Sequence, residues 1–416
     1  MTVPQDGETV PRLRFPEFRD AGGWEEKRLG DLGTLVPGLT YSPTDVRESG
    51  LLVLRSSNIQ NDEISLDDCV YVRRDVNGAN LTQPDDILIC VRNGSKSLIG
   101  KNAIVPKGMP ICTHGAFMTV FRAAAPQFVR TLLQTAAYKK QVAADLGATI
   151  NSINGSQLLK YCFTVPKPAE QQKIADCLGL LDDLIAAEDR KFEALQQHKE
   201  GLMQQLFPQP GETAPRLRFP EFVNAAWESK TLGTLVSNTE RPIVMEDETE
   251  YALVTVKRRY GGVVAREVLK GKTISVKSQF LVEANDFLVS KRQIVHDACG
   301  LVPAELTGSI VSNEYSVLTA KNGCDIEFFN YFTQQPCVSE SFLQSSVGIV
   351  IEKMLFKLDW WLKLAFPFPS FAEQQQIADC LSSLDAQLAA HVQKLNVLKT
   401  HKQGLLQQLF PSLEGQ

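Results

Sequence analysis

The chain contains a tandem repeat, and this repeat restricts the possible folds more than any other feature. A ten-residue segment that begins at Ala169 returns with one substitution at Ala372, 203 positions later. Gly201–Pro208 returns at Gly404–Pro411 with the same offset and again one substitution. A duplication of about half the chain predicts two copies of one structural unit related by a pseudo-twofold axis. Such a protein suits a target that itself has two halves, and duplex DNA is the commonest target of this kind.

The composition is that of an ordinary globular protein with reduced thiols. The length of 416 residues allows two to three domains, each with its own core. The first twenty residues are polar, and no apolar run approaches the ~18 residues of a membrane span. The nine cysteines form no Cys-x-x-Cys pair and the five histidines show no ligand spacing with them. We therefore predict a cytoplasmic protein without a metal site or membrane contact.

The net charge of −5 argues against a nucleic-acid binder that works alone. Phosphate neutralisation by basic side chains usually supplies much of the affinity for nucleic acid. Either the basic groups of this chain are clustered, or partner subunits provide much of the positive surface.

Apolar side chains follow a heptad pattern through both copies of the repeated segment. The steps alternate between four and three residues when Glu188 and Lys199 are counted in the first copy, and His391 and Lys402 take the equivalent places in the second. Prolines flank both segments, and each predicted helix of ~38 residues is ~57 Å long. Helices of this length are far longer than average, so we expect them to act as spacers or bundle struts.

The two helices pair well if they run antiparallel. When partner positions sum to 579 or 580, every heptad residue meets a heptad residue; Ile174 meets Leu405 and Leu202 meets Ile377. The alternative is a pair of separate core helices in unrelated domains. We favour one antiparallel coiled coil.

Polar residues interrupt the predicted coiled coil at equivalent places. Glu188 and His391 face each other at its centre, and we expect this pair to fix the register more than it adds stability. The same register places Lys199 beside Asp379 and Lys402 beside Asp176.

The segments between the helices predict mixed α/β domains. Short β-branched or aromatic runs alternate with turns, and a helical stretch comes late in each segment, at 127–146 and 326–345. The two segments differ more than the helices do, but Asp86–Asn93 aligns with Asp286–Gln293. In each unit two strand-end loops carry Arg or Lys beside Asn, Gln, Ser or Tyr.

That loop composition is typical of residues that read base edges. Arg or Lys can donate twice to guanine, Asn or Gln can bond adenine, and Ser can bond either. For any single residue, a solvated turn is the alternative. The predicted DNA-contacting residues are Arg55, Ser56, Ser57, Asn58, Arg92, Asn93, Ser95, Lys96 and Lys101 in the first unit, and Lys257, Arg258, Arg259, Tyr260, Lys291, Arg292, Gln293 and His296 in the second.

Catalytic motifs are not evident in the sequence. Gly271–Thr273 resembles the end of a phosphate-binding loop, but Arg266 stands where the first glycine is required. No nucleophile elbow and no Gly-x-Gly-x-x-Gly before a helix is present. His296 with Asp297 is the nearest acid–base pair, and we interpret His296 as a DNA-contacting or loop-packing residue. We predict no catalytic residue.

These features resemble the specificity subunit of a Type I restriction–modification system. The resemblance spans nearly the whole chain and is most specific at the duplicated helix openings Ala169–Leu178 and Ala372–Leu381. The duplicated Arg-Phe-Pro-Glu-Phe leaders, followed by Trp24 and Trp227, also match. The resemblance implies two target-recognition domains that each read one half of an interrupted DNA site, while the helices separate them and dock two modification subunits.

The same resemblance implies a division of labour among subunits. S-adenosylmethionine binding and adenine methylation belong to the modification subunits, and ATP- and Mg-dependent translocation and cleavage belong to restriction subunits. This chain then needs no cofactor and is not itself an enzyme. The alternatives are an enzyme that acts alone on DNA, a stand-alone bipartite DNA-binding protein, and a coiled-coil scaffold that binds no DNA.

The predicted fold class is α+β, with two mixed α/β target-recognition domains and two long antiparallel helices. The predicted divisions are a leader at 1–23, recognition domain 1 at 24–168, spacer helix 1 at 169–207, a linker with the repeated leader at 208–226, recognition domain 2 at 227–371, spacer helix 2 at 372–411 and a tail at 412–416.

The leaders also predict a circular organisation. The segment from Gly7 repeats from Gly211, directly after the first long helix. The N-terminal leader therefore begins where a continuation of the C-terminal helix would begin. We expect the two ends of the chain to lie close together, with each leader against the base of the helix that precedes it in this circle.

Overall fold

The computed structural model describes residues 10–146 and 151–411. The chain packs as two units: unit 1 comprises Met1–Asp189 and Gln393–Gln416, and unit 2 comprises Arg190–Val392. Unit 1 is thus built from both ends of the sequence. The predicted tail and the first nine residues of the leader lie outside the described residues.

Unit 1 is a mixed α/β structure. Its strands are β1 (Glu25–Arg28), β2 (Gly33–Pro37), β3 (Val46–Arg47), β4 (Leu51–Leu54), β5 (Ile59–Gln60), β6 (Glu63–Ile64), β7 (Val70–Val72), β8 (Ile87–Cys90), β9 (Asn102–Ile104), β10 (Cys112–His114), β11 (Met118–Ala123) and β12 (Cys162–Val165). Its helices are α1 (Leu29–Leu32), α2 (Pro126–Leu132), α3 (Ala136–Asp145), α4 (Gly155–Leu158) and the first part of α5 (Pro168–Gln205).

Two four-stranded sheets organise unit 1. One has the order β2-β11-β8-β9 and is antiparallel, and the other has the order β10-β4-β7-β3 with a parallel pair, β10 and β4. β1 pairs separately with β12, directly before α5. Apolar side chains from β8, β11, α2 and α3 form one core with the start of α5.

Unit 2 repeats this arrangement with different side chains. Its strands are β13 (Glu228–Thr231), β14 (Val236–Asn238), β15 (Glu250–Val256), β16 (Val263–Lys270), β17 (Gln279–Leu281), β18 (Phe287–Ser290), β19 (Cys299–Leu301), β20 (Ile310–Ser312), β21 (Tyr315–Ala320), β22 (Ser346–Val347), β23 (Leu355–Phe356) and β24 (Ala365–Phe368). Its helices are α6 (Leu232–Leu235), α7 (Ile326–Thr333), α8 (Pro336–Gln344), α9 (Leu358–Trp361) and the first part of α10 (Phe371–Leu409).

The strand order of unit 2 matches that of unit 1 in one four-stranded sheet and in three strands of the other. In the second sheet, of order β16-β15-β20-β17, the fourth strand β17 pairs with β20, whereas in unit 1 the fourth strand β3 pairs with β7 at the other edge. β14-β21-β18-β19 corresponds to β2-β11-β8-β9, β15 pairs in parallel with β20 as β4 does with β10, and β13 pairs with β24 before α10. The internal repeat and the alignment of Asp86–Asn93 with Asp286–Gln293 are therefore confirmed at the level of strands.

Each predicted late helix is in fact two helices. In unit 1 the stretch 127–146 breaks between Leu132 and Ala136, where the Thr135 hydroxyl caps the second helix by accepting the N–H of Tyr138. In unit 2 the break comes at Pro336, which has no N–H to continue the helix. The sequence pattern alone did not reveal either break.

The long helices pack antiparallel within each unit. In unit 1, Ile174 and Leu178 near the start of α5 share an apolar cluster with Leu405 and Leu409 near the end of α10. In unit 2, Leu202 near the end of α5 packs against the cluster that contains Ile377 and Leu381 of α10. Both pairings agree with the predicted register of apolar residues.

The predicted lysine partners are wrong by six residues. Lys402 pairs with Asp182 at 2.6 Å, and Lys199 pairs with Asp385 at 2.5 Å, instead of with Asp176 and Asp379. Side chains on a helix lean toward its N-terminus. In an antiparallel pair this lean carries each lysine toward the C-terminal end of the opposite helix, where the observed aspartates lie.

At the predicted centre of the coiled coil, Glu188 has a partner other than His391. Glu188 is buried and forms an ion pair with Lys394, and both residues belong to unit 1. His391 belongs to unit 2, so its predicted pairing with Glu188 stays a prediction.

The leaders close the circle that the sequence predicted. In unit 1 the N–H of Leu13 donates to the carbonyl oxygen of Gln408 at 2.9 Å, and in unit 2 Leu217 donates to Gln205 at 3.0 Å. The two ends of the described chain therefore lie together. Each leader contacts the end of the helix that precedes it in the circle, as expected.

An aromatic cluster completes the core of unit 1. The ring of Phe410, just after α10, lies 5.9 Å from the rings of both Trp24 and Phe128. Phe207 takes the same place in unit 2, at 6.5 Å from Trp227 and 5.3 Å from Phe328. Each recognition segment thus uses an aromatic residue from the end of a long helix to fill its core.

Candidate nucleic-acid interface

Two loops that the sequence singled out lie together in unit 1. One follows β4 and the other follows β8, and the Asn93 side-chain amide donates to the Ser56 hydroxyl at 2.9 Å. Ser57 and Arg92 are exposed on these loops. The structure therefore brings the two predicted loops of unit 1 together.

The loop after β4 is held by Asn58. This side chain is buried; its oxygen accepts the N–H of Arg55 at 2.8 Å, and its amide donates to the carbonyl oxygens of Ser65 and Asp68 at 3.0 Å each. With these bonds formed, the Asn58 amide maintains the loop and is not presented to a ligand. Asn58 was predicted to contact DNA, but its buried side chain has a structural role in the loop.

The Arg55 side chain is partly exposed and already has an anionic partner. Its guanidinium forms an ion pair with Asp68 at 2.7 Å and is about one-third exposed. A DNA phosphate or base would have to compete with this carboxylate, so any contribution of Arg55 to affinity is reduced by the lost ion pair.

The loop after β8 presents Arg92 over an aromatic ring. The Arg92 guanidinium lies 5.7 Å from the centroid of Phe117, and its backbone N–H donates to the Phe117 carbonyl at 3.1 Å. Ser95 and Lys96 are exposed farther along, while Lys101 is partly buried as the chain returns to β9. Because a flat ring beneath a guanidinium restricts its motion, Arg92 is preoriented for a planar partner.

The two loops of unit 2 are also joined. Arg258 donates to the Gln293 side-chain oxygen at 2.8 Å, and the Arg259 N–H donates to the His296 carbonyl at 2.8 Å. Arg259 and Tyr260 both adopt left-handed backbone conformations, at φ of 55° and 53°. This turn leaves Lys257 and Arg259 exposed.

Tyr260 anchors the unit 2 surface from below. Its hydroxyl lies 2.9 Å from an Asp297 carboxylate oxygen and 3.0 Å from the Thr333 carbonyl oxygen. Burial raises the pKa of the Tyr260 hydroxyl far above its usual value. His296 is partly buried in the same region. These two residues support the loops more than they face outward.

Carboxylates neutralise part of the basic surface of unit 2. Arg292 forms an exposed ion pair with Glu314 at 2.5 Å, which raises the pKa of the guanidinium. The Lys291 ammonium donates to the carbonyl oxygen of Asn313 at 2.8 Å. As with Arg55 in unit 1, a nucleic acid would exchange one anionic partner for another.

A buried carboxylate supports the strand beneath each loop, and sequence reasoning missed its role. Asp86, just before β8, accepts two bonds of 2.8 Å from Arg122. Asp286, just before β18, accepts bonds of 2.7 and 3.1 Å from Arg241. The aligned segments both begin with Asp, and this shared residue could have indicated a structural role. The arginines come from different places in the two sequences, so no pattern identified them.

The described residues offer no catalytic metal centre. Across 10–146 and 151–411, no group of three His, Cys, Asp or Glu side chains is placed to hold a metal ion. No helix in those ranges is both long enough and apolar enough to cross a membrane.

Comparison with known proteins assigns the family. The family model described as "Type I restriction modification DNA specificity domain" matches the chain twice, over residues 21–197 and 224–400. The chain belongs to this family. The resemblance predicted from the helix openings and leaders is therefore confirmed, and the two matches correspond to the two repeats.

Individual specificity subunits share part of this sequence. The chain is 28% identical over 275 residues to the specificity subunit of the Type I restriction enzyme StySPI from Salmonella potsdam, covering 64% of this chain and 54% of that protein. It is 29% identical over 188 residues to the EcoKI specificity subunit from Escherichia coli (strain K12), covering 42% and 39%. The alignments thus span about half or less of these relatives.

Similarity of structure extends over nearly the whole chain. The crystal structure of a Type-I restriction-modification system S subunit from M. genitalium matches with a TM-score of 0.62 at 16% identity, covering 97% of this chain and 100% of that one. At this identity the likeness establishes the fold. The predicted α+β class with two recognition domains and long helices is confirmed.

Proposed function

We propose that this chain is the DNA-recognition subunit of a Type I restriction–modification complex. Each unit reads one half of a bipartite site with its two joined loops, and α5 and α10 set the gap. The observation that carries the proposal is the repeated pair of loops, linked by Asn93 to Ser56 in one unit and by Arg258 to Gln293 in the other. Both pairs lie at equivalent strand ends of a fold whose family is defined by DNA specificity.

The two surfaces have different chemistry, which supports recognition of two different half-sites. The unit 1 loops carry Ser56, Ser57 and Arg92, whereas the unit 2 loops carry Lys257, Arg258 and Gln293. Because Ser, Arg and Gln prefer different base edges, a shared framework with different loop residues yields different sequence preferences. The predicted half-sites are therefore not repeats of each other.

The proposed reactions belong to partner subunits. Two modification subunits would bind S-adenosylmethionine and methylate adenine, and restriction subunits would use ATP and Mg. The family is that of a specificity subunit, which is not the catalytic component. A net charge of −5 fits this division, because partners would supply much of the positive surface around DNA. We place the complex in the cytoplasm, where its DNA is.

Sequencing of methylated adenines tests the proposal. The chain would be expressed with its modification subunit in a host that lacks other adenine methyltransferases. We expect one bipartite motif with a fixed gap and unrelated halves. Methylation without a motif, or a complex that binds specific and scrambled duplexes equally at all salt concentrations, would instead indicate a scaffold.

A further inference from the structure

An exposed apolar segment extends from unit 2 between β22 and β23. Val347 and Val350 are about half exposed, Ile351 is 51% exposed, and Ile349 is fully exposed at 104% of its reference area. Neighbouring exposed apolar side chains of this kind usually mark a contact surface.

The hairpin that carries these residues is ordered by its own contacts. At the base of the hairpin, the backbone N–H of Lys357 donates to the carbonyl oxygen of Ser345 at 2.8 Å. Within the loop, the backbone N–H of Lys353 donates to the carbonyl oxygen of Val350 at 2.9 Å. A side chain at Gly348 would place its Cβ only 2.9 Å from the Met354 Cα, so glycine allows the two arms to approach. The apolar residues are therefore presented by a defined turn.

This hairpin is attached to the candidate interface. The N–H of Phe356 in β23 donates to the carbonyl oxygen of Lys291 at 2.9 Å, and Lys291 begins the loop after β18. The basic side chains of Lys291, Lys353 and Lys357 accompany the apolar segment, together with the exposed carboxylate of Glu352, so the net charge of these four residues is positive. Positive charge beside exposed apolar groups suits a polyanion that also has apolar features.

Unit 1 places the corresponding segment against its own loop. Between α3 and α4, the backbone N–H of Ile153 donates to the carbonyl oxygen of Val91 at 2.8 Å. The side-chain amide of Asn151 donates to the carbonyl oxygen of Gly94 at 3.1 Å. The same connection therefore borders the same loop in both repeats. Because this placement is repeated while the side chains differ, it supports a role in recognition that is specific to each unit.

We propose that Val347–Ile351 is a third DNA-contacting segment of unit 2, which packs its apolar side chains against thymine 5-methyl groups of one half-site. The inference rests on the proposed function. The adjoining loops supply donors for base edges, and the thymine methyl is the apolar feature that the major groove offers beside them. Burial of Ile349 against it would also cover apolar surface that is otherwise exposed to water.

Uracil substitution tests this contact directly, because uracil pairs as thymine does but lacks the methyl group. The assembled complex with its modification subunit would be titrated with its mapped site and with duplexes that carry uracil in one half-site or the other. We expect the wild-type complex to lose about fourfold in affinity per contacted methyl, in one half-site only. Ile349→Ser should lose a similar factor on the thymine duplex and little more on the uracil duplex.

Val244→Ser is the matched control, because Val244 is 93% exposed in the segment before β15. This variant should respond to uracil as the wild type does. The proposal is overturned if uracil has no effect on the wild type, if Ile349→Ser keeps the full uracil effect, or if Ile349→Ser fails to assemble with the modification subunit. Equal binding of specific and scrambled duplexes by the wild type would instead refute the proposed function itself.

Discussion

Arg14 and Glu170, 156 residues apart in the sequence, form a bidentate ion pair with both bonds at 2.8 Å. The two side chains are 9% and 2% exposed, and the Trp24 indole N–H also lies 3.3 Å from the same carboxylate. Arg218 and Glu373 repeat the pair in unit 2 at 2.7 Å. Each copy of the leader is therefore bound by a buried ion pair to the first turn of a long helix.

Arg14→Ala should destabilise unit 1 by about 3–5 kcal/mol, because it leaves the Glu170 carboxylate buried without its partner. The free energy of unfolding would be measured by urea titration. The matched control is Lys27→Ala, which removes an exposed partner of Glu25 and should change stability by less than about 1 kcal/mol. Equal effects of the two variants would show that burial of the leader pair is not important.

Asp182 should orient the recognition domain on the helices of unit 1. Its carboxylate binds Lys402 of α10 at 2.6 Å and Arg130 of α2 at 3.1 Å. Asp182→Asn removes the charge but keeps the shape, so we expect methylated sites whose gaps vary by about one base pair with unchanged half-sites. Asp183→Asn makes the same chemical change at an exposed neighbour and should preserve the single gap. Loss of half-site sequence would contradict an orienting role.

Arg92→Ala should weaken discrimination at one half-site and leave the other intact, and Arg292→Ala should do the converse. The expected loss is about 1–3 kcal/mol each if the contacts are bidentate, and smaller for Arg292, which must first leave Glu314. Competition binding with single-base variants of the site would measure this. Arg74→Ala, an exposed arginine outside both loops, is the control. Uniform weakening on all sequences would identify phosphate contacts.

Lengthening α5 and α10 by one heptad each should widen the gap without changing the half-sites. Insertion after Asp189 and after Val392, where the packing divides between the units, preserves the heptad pattern and adds ~10 Å. At ~3.4 Å per base pair this allows at most about 3 additional base pairs. Each added pair also rotates the half-sites by ~35°, which reduces the gain.

The control for this extension is an insertion of two residues at the same places. It disrupts the apolar register and should destabilise the chain before it changes the gap. Methylated sites would be mapped for both variants. An unchanged gap in a folded, active heptad variant would mean that the helices do not set it.

The features predicted correctly are those that depend on local periodicity. The heptad pattern predicted one long helix, because a single apolar face repeats over about ten turns. The flanking prolines placed its ends at 169–207, within two residues of the observed Pro168–Gln205. The breaks at Thr135 and Pro336 and the lysine partners were not predicted correctly. They depend on capping and on side-chain direction, which a count of apolar positions does not include.

The candidate surface was less predictable than the fold. Arg92 and Gln293 lie on the expected loops, but the buried role of Asn58 depends on carbonyl groups of Ser65 and Asp68 that only the folded loop brings near. The hairpin around Ile349 had no signal of its own. Its four apolar residues, interrupted by Gly348, have the pattern of an ordinary buried strand, and their exposure is evident only in the structure.

The circular closure of unit 1 has a consequence for synthesis on the ribosome. Unit 2 is one continuous stretch, Arg190–Val392, whereas the core around Trp24 and Phe128 needs Phe410. At ~5–20 residues per second, the intervening chain takes at least about ten seconds to emerge. The domain translated first is therefore the last to be completed. A nascent chain that ends at Val392 would contain all of unit 2 but would lack the part of α10 that completes unit 1.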